Sequence, residues 1–278
     1  MREEVLKRIL LTIGAILMAI ICLFPFIWMI VVSFAKDPTF LGSPLVEYKS
    51  TLENYVRVLS DPTLHFPAYL KNSIIIASLV TLTTVSISSL AAYAVSRIEF
   101  KGRLLIPIFV LGLSMFPQIS LVGYLFKFIE KLGWVNTYQA LYFPYVAWTL
   151  PLSLWILLSY FSQLPKDLDE AAMIDGASRI KTLTTIILPL SAPALFSTAL
   201  LVFIAAFNEF MFALLFTTDH RARTVPVGIA LFQGVHGEIP WGSVMAASVI
   251  STIPLVIMAL LFQKYIVSGL TAGALKGE

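Results

Sequence analysis

The chain has 278 residues, of which 58% are hydrophobic and 13% charged, about half the charged share of an average soluble domain. An ordinary soluble domain is excluded, and the class that remains is a polytopic membrane protein. The 19 Lys and Arg against 16 Asp and Glu leave a net charge of +3, too small a basic excess for nucleic acid to be the partner. The single cysteine, Cys22, excludes an internal disulfide framework and a cysteine-based metal cage.

A helix needs roughly 20 mostly apolar residues to cross about 30 Å of hydrocarbon. Six windows meet that length, at 9–34, 72–96, 104–126, 138–161, 194–217 and 243–262. Only the fifth holds a charge, Glu209. The first is too long for a signal-peptide core and no small-residue cleavage site follows it, so it is read as a retained anchor. Lipid offers a bare backbone no hydrogen-bonding partner, and none of the six windows has the alternation of a barrel strand. The expected fold is an all-α polytopic membrane bundle of six transmembrane helices, a single transmembrane domain over residues 1–278. Pro25, Pro107, Pro117, Pro144, Pro151 and Pro254 fall within or near the spans, where each removes a backbone donor and favours a kink.

The short segment 97–103 packs Arg97, Lys101 and Arg103 together, which marks it as cytoplasmic. With six spans both termini are then cytoplasmic, and 11 of the 19 basic residues fall inside. The stretches 35–71 and 218–242 become the larger external loops.

The cytoplasmic segment 162–193 carries more pattern than a connector requires. Pro165 and Asp167 open a helix, with Asp167 as N-cap and Glu170 placed to close a capping box. Ala171 and Ala172 add almost no bulk, which lets another protein surface approach closely. Gly176, after Asp175, suits the left-handed turn that ends a helix. A second amphipathic stretch starts near Ser178 with Ile180, Leu183, Ile186 and Ile187 as its stripe, and Pro189 and Pro193 stop it. On the residues alone, two short helices lying on a membrane surface fit equally well.

Glu170-Ala171-Ala172, Asp175-Gly176-Ala177, Ile186, Leu188-Pro189 and Pro193 resemble the EAA loop of ABC importer permeases, with Leu183 where a Phe is common. The resemblance covers nearly the whole chain and points to sugar permeases of the maltose type. It includes Leu23 to Phe34 (LFPFIWMIVVSF), Ala91 to Arg103 (AAYAVSRIEFKGR), Phe207 to Phe210 (FNEF, with Phe207 where Trp is often found) and Tyr265 to Gly277 (YIVSGLTAGALKG). It implies a type I importer permease fold and ATPase coupling through Glu170, Ala171, Ala172, Asp175, Gly176, Ala177 and Pro189. The partners it implies are a dimer of ATP-binding ABC subunits, a second homologous permease, an extracytoplasmic sugar-binding protein, a sugar and membrane lipid. No P-loop of the form GxxxxGKS or GxxxxGKT occurs in the chain. ATP and Mg are therefore assigned to the partner ATPase, with no cofactor, catalytic residue or metal site in this chain.

Glu209, costly to ionise at bilayer depth, and Asn208 are candidates to line the translocation path. The alternative is a hydrogen bond that locks two helices. Ser78, Thr81, Thr83, Thr84, Ser86, Ser88 and Ser89 make the second span rich in hydroxyls, read mainly as interhelical packing rather than sugar contacts. Tyr142, Phe143, Tyr145, Trp148 and Trp155 on the fourth span can stack on a sugar face. The stretch from Gln233 to Trp241, with Gly234, His236, Gly237, Glu238 and Pro240, is a candidate contact for a substrate-delivery protein. The tail with Gly269, Gly273, Lys276 and Gly277 either frays or runs against the ATPase. An ion-gradient-driven secondary transporter is the alternative from another class, thinly supported by one intramembrane Glu. His65, His220 and His236 all lie in external loops, which leaves no Ser-His pair at depth and no metal site. A passive channel gives no reason for the patterned loop.

Overall fold

The structure is a computed structural model that describes residues 2–35, 50–232 and 239–274. The expected delivery-protein contact at Gly234, His236, Gly237 and Glu238 lies outside these residues, as do Lys276 and Gly277. The described secondary structure is helical: α1 Arg2–Ser33, α2 Glu53–Ser60, α3 Phe66–Arg97, α4 Leu105–Ser114, α5 Gln118–Lys131, α6 Tyr138–Phe161, α7 Asp167–Ile174, α8 Arg179–Thr182, a π-helical turn Leu183–Ile187, α9 Leu188–Leu190, α10 Ala192–Phe207, α11 Met211–Phe216, α12 Val225–Ala230 and α13 Trp241–Ala274.

Four helices are long and apolar enough to cross a membrane singly: α1, α3, α6 and α13. The third expected span is instead a pair, α4 and α5, bent by 89°. Pro117 supplies the reason. It has no amide to donate and sits extended at the start of α5, while the Met115 amide turns back to the Gly112 carbonyl. The fifth expected span is also interrupted, because α10 ends at Phe207 and α11 restarts at Met211. The expected external loops contain the short helices α2 and α12.

The chain forms two compact units. In the first, residues 1–67 and 229–253, the end of α1 is laced to α2. The Tyr55 and Ser33 hydroxyls lie 2.6 Å apart, and Asn54 Nδ2 donates to the Ser33 and Ala35 carbonyls at 2.9 and 2.8 Å. The large apolar side chains of α1 from Leu6 to Ile27 are exposed, as suits a helix whose solvent is lipid.

The second unit, residues 68–228 and 254–278, holds two core clusters. One joins Ile76, Ala77 and Val80 of α3, Leu141 and Tyr145 of α6, Val202 to Phe207 of α10, and Phe212 and Phe216 of α11. The other joins Ala92 and Tyr93 of α3, Leu154, Leu157 and Phe161 of α6, and Leu183, Ile187 and Ala194. Two hydroxyls of α3 tie it to α6: Thr83 to the Tyr142 hydroxyl at 2.8 Å and Thr84 to Thr149 at 3.1 Å. Thr81, Ser86 and Ser89 bond back to their own helix.

A polar lacing also fixes the turn after α11. Asn136, left-handed at φ 61°, accepts from the Thr218 and Asp219 amides and donates to Asp219 Oδ1 at 2.8 Å. Asn72 Nδ2 donates to the His220 and Arg223 carbonyls, and Asn72 Oδ1 accepts from the Tyr138 hydroxyl at 2.6 Å. The hydrogen bonds from Arg221 and Asn136 hold the exposed Asp219 carboxyl well below the usual range.

Candidate functional site: the α7 to α10 segment and the break at Asn208

The segment that carries the EAA pattern folds as helix, turn, helix. α7 covers two turns and starts one residue earlier in backbone conformation than the capping-box reading requires. Lys166 is already helical, its carbonyl takes the Asp169 and Glu170 amides, and no side chain caps the end. Asp167 therefore lies inside the first turn, where it and Glu170 serve as negative charges at the positive end of the helix. The C-terminus follows the expected pattern. Gly176 is left-handed at φ 80°, its amide bonds the Met173 carbonyl at 3.1 Å, and the Ala177 amide bonds the Ala172 carbonyl at 2.9 Å. These two bonds form the glycine-ended motif that satisfies the last carbonyls. Ser178 then caps α8, with its hydroxyl accepting the Lys181 amide at 3.3 Å.

The two faces of α7 differ. Glu170 and Ala171 are exposed with Asp175 and Gly176, and Ile174 is 86% exposed. Ala172, read as part of the open surface, is buried, and Asp169 is buried beside it. Asp169 and Ala172 are three apart and share the inner face, while Glu170 and Ile174 are four apart and share the outer one. Beneath α7, Asp169 Oδ1 accepts from the Tyr93 hydroxyl at 2.7 Å, and its Oδ2 lies 3.2 Å from Arg97 Nε. Both partners stand at the end of α3. The sequence marks Arg97 as an orientation signal and includes Tyr93 and Arg97 in the Ala91 to Arg103 resemblance, but gives neither of them, nor Asp169, a role at this site. The i,i+3 pairing of Asp169 with Ala172, and the i,i+4 pairing of Tyr93 with Arg97, were the available signals.

Two further expectations are corrected. Ile180 is exposed and the stripe runs through Thr182, Leu183 and Ile187, because the chain is a tight α8 followed by a wider π-turn. Pro189 does not stop the helix, which continues to Leu190 before an 82° bend into α10. The widened turn lies just ahead of Pro189 and accommodates its ring and missing donor. Pro193 sits in the first turn of α10, where a proline costs no hydrogen bond.

At the second candidate site, Asn208 is exposed and its amide nitrogen bonds back to the Ile204 carbonyl at 3.0 Å. Glu209 is 4% exposed, and its two oxygens accept the Phe212 and Ala213 amides at 2.8 and 3.1 Å. The carboxylate thus closes the start of α11. The buried Tyr145 hydroxyl is beside it without a hydrogen bond of ordinary geometry. Of the aromatics on α6, Phe143 and Trp148 line an apolar groove of about 720 Å³ together with Trp134, Phe116 and Phe128, while Tyr145 is fully buried. The coupling-loop candidates and the Asn208–Glu209 pair belong to the same compact unit; Leu183 and Ile187 of the loop segment join one core cluster, and Phe207 and Phe212, which flank the Asn208–Glu209 pair, join the other.

The pattern of the family described as "Binding-protein-dependent transport system inner membrane component" matches residues 1–272. The chain belongs to this family. The permease is a multi-pass membrane protein and a subunit of a binding-protein-dependent ABC importer, which sets aside the secondary-transporter alternative. It is 99% identical over 278 residues, all of both chains, to the trehalose/maltose transport system permease protein MalG of Thermococcus litoralis. It is 40% identical over 267 residues to the sulfoquinovosyl glycerol transport system permease protein SmoH of Agrobacterium fabrum, covering 95% of this chain and 93% of the relative. The trehalose transport system permease protein SugB of Mycobacterium tuberculosis is 39% identical over 256 residues, covering 92% and 93%. The permease fold is also that of a solved bacterial ABC transporter chain involved in importing the acidic polysaccharide alginate, at a TM-score of 0.77 and 20% identity, covering 96% and 98% of the two chains.

Proposed function

We propose that this permease moves a sugar of the trehalose or maltose kind inward, together with a second homologous permease, a dimer of ATP-binding subunits and an extracytoplasmic sugar-binding protein. The observation that carries the reading is the 99% identity along the whole chain to a trehalose/maltose permease. The exposed face Glu170, Ala171, Ile174, Asp175 and Gly176 supports the coupling part. Met173 and Ile174, both exposed, put adjoining apolar surface among the charges of a sharply ended helix, where a partner's cleft can cover it. In this reading the exposed Ala171 and the half-buried Ala177 allow close approach, Ala172 seats the inner face of α7, and the bend after Pro189 carries motion into α10. ATP binding closes the partner dimer and the bundle alternates between inward-facing and outward-facing states. ATP and Mg act in the partner, and this chain supplies path and lever without chemistry of its own. Both termini are cytoplasmic. Asn208 faces the path, and Glu209 acts on it by holding the break between α10 and α11.

The test is uptake of labelled trehalose and maltose into proteoliposomes that contain the complex co-purified with the tagged chain. Uptake that requires ATP and the binding protein supports the reading. Uptake by the chain alone under an ion gradient, without ATP, contradicts it.

A further inference from the structure

α7 is only two turns long, and a helix of eight residues does not hold its shape or place in water by itself. Its apolar grip on the unit is small. Ala172 is the apolar residue it buries, and Leu168 is half-buried. The side-chain polar contacts that reach α7 from another element, among the described residues, are the two on Asp169: the Tyr93 hydroxyl on one carboxylate oxygen and the Arg97 guanidinium on the other.

Tyr93 and Arg97 stand four residues apart on α3, one turn above the other. The Tyr93 hydrogen bond is directional, and the Arg97 ion pair, with Nε and Oδ2 3.2 Å apart but without hydrogen-bond geometry, adds a second attachment from the same helix; together they restrain the direction of α7 against α3 as well as its distance. The Arg97 side chain is 3% exposed and that of Asp169 8%. Arg97 Nη2 is buried without a hydrogen-bonding partner among the described residues. A buried charge pair with donors left over is a poor device for stability alone, since an apolar pair of similar volume fills such a place at least as well. It is a good device for orientation.

We propose that Tyr93 and Arg97 are positioning residues that clamp α7 to the end of α3 through Asp169. Displacement of the exposed α7 face is thereby delivered to the second membrane-spanning helix instead of being lost in the segments on either side of α7. The proposal rests on the reading of α7 as the element that receives the ATPase's motion, and it adds a second route into the membrane beside the bend into α10.

The experiment uses the assembled importer in nanodiscs with two readouts. The first is sugar imported per ATP hydrolysed. Asp169→Asn and Arg97→Gln each lower this ratio at least tenfold, Tyr93→Phe lowers it two- to threefold, and the double variant Arg97→Gln/Asp169→Asn falls no lower than either single change. Additive losses, or a ratio equal to that of the unaltered chain, overturn the proposal. The second readout is the spread of distances between spin labels on Ile174→Cys and Leu90→Cys, both exposed positions, in a Cys22→Ser background. The unaltered clamp keeps the spread narrow with and without ATP, and Asp169→Asn widens it. A spread that stays narrow in Asp169→Asn overturns the clamp even where that variant fails to retain the ATPase. Failure of the unaltered complex to import sugar with ATP falls on the functional reading instead, while the distance readout still decides the clamp.

Discussion

Among the described residues of the larger unit two carboxylates are buried, and they are held in opposite ways. Asp169 sits in the first turn of α7 and is held by groups from far along the chain, Tyr93 and Arg97. Glu209 sits just before α11 and is held by the chain's own next amides, those of Phe212 and Ala213. The first arrangement is a tertiary tether, in which the charge matters because its partner is a buried cation. The second is a local cap, in which the acceptor oxygens matter more than the charge. A buried acid near a helix start therefore does not announce its role by position alone, and the partner decides.

The comparison breaks most visibly if Asp169→Ala is mild. Removing the carboxylate leaves the Arg97 cation buried and uncompensated, which costs about 3–5 kcal/mol. Denaturant unfolding of the purified chain in detergent checks this, and a loss below about 1 kcal/mol would make the pair an incidental contact. Next in size is Gly176→Val. A β-branched residue at φ 80° strains the turn by about 1–3 kcal/mol. The larger consequence is functional, since ATP hydrolysis by the complex persists while uptake falls, and coupled uptake at the unaltered level would detach α7 from the mechanism.

Glu209→Ala exposes two amides at the α11 start and costs about 1–2 kcal/mol. Glu209→Gln keeps an acceptor oxygen and costs less, with assembly intact and transport reduced. Normal uptake by Glu209→Gln would take the residue off the path, and equal stability losses for Ala and Gln would show that charge, not capping, is its role.

The smallest effect belongs to Asp219, the exposed carboxylate that extends the comparison into solvent. Its folded-state pKa is depressed, first by the Arg221 hydrogen bonds and then by Asn136. The stabilisation it brings is full above the ordinary carboxylate pKa of about 3.9 and is lost as pH falls below that towards the depressed value. Protection of the Arg221 amide, which donates to Asp219 Oδ1 at 2.8 Å, is therefore lost, and its exchange approaches the intrinsic rate, only in strong acid. Asp219→Asn shows the faster exchange at neutral pH.

The bundle of apolar helices was legible because lipid imposes a length and a composition on every span, and the EAA segment because Gly176 and Ser178 punctuate it by local rules. The breaks were less so. Pro117 marks a kink, but the size of the turn between α4 and α5 depends on what packs around it. The interruption at Asn208 has no proline or glycine to mark it, and it follows from Glu209 preferring to cap α11 over continuing α10. Asp169 was hidden by its neighbours, since the eye follows Glu170-Ala171-Ala172 while the inner face of the same helix is set by tertiary partners 72 and 76 residues away. Ile174 was passed over because one exposed apolar residue gives no periodic signal.

In the proposed mechanism ATP-driven motion enters the permease at the outer face of α7. The most direct test is a cross-link from Ile174→Cys, in a Cys22→Ser background, within the importer assembled in its own membrane. The expected adduct forms with the ATP-binding subunit, and ATP trapping changes its yield. An adduct with lipid alone, with the ATP-binding subunit present in the complex and unlabelled, would contradict it.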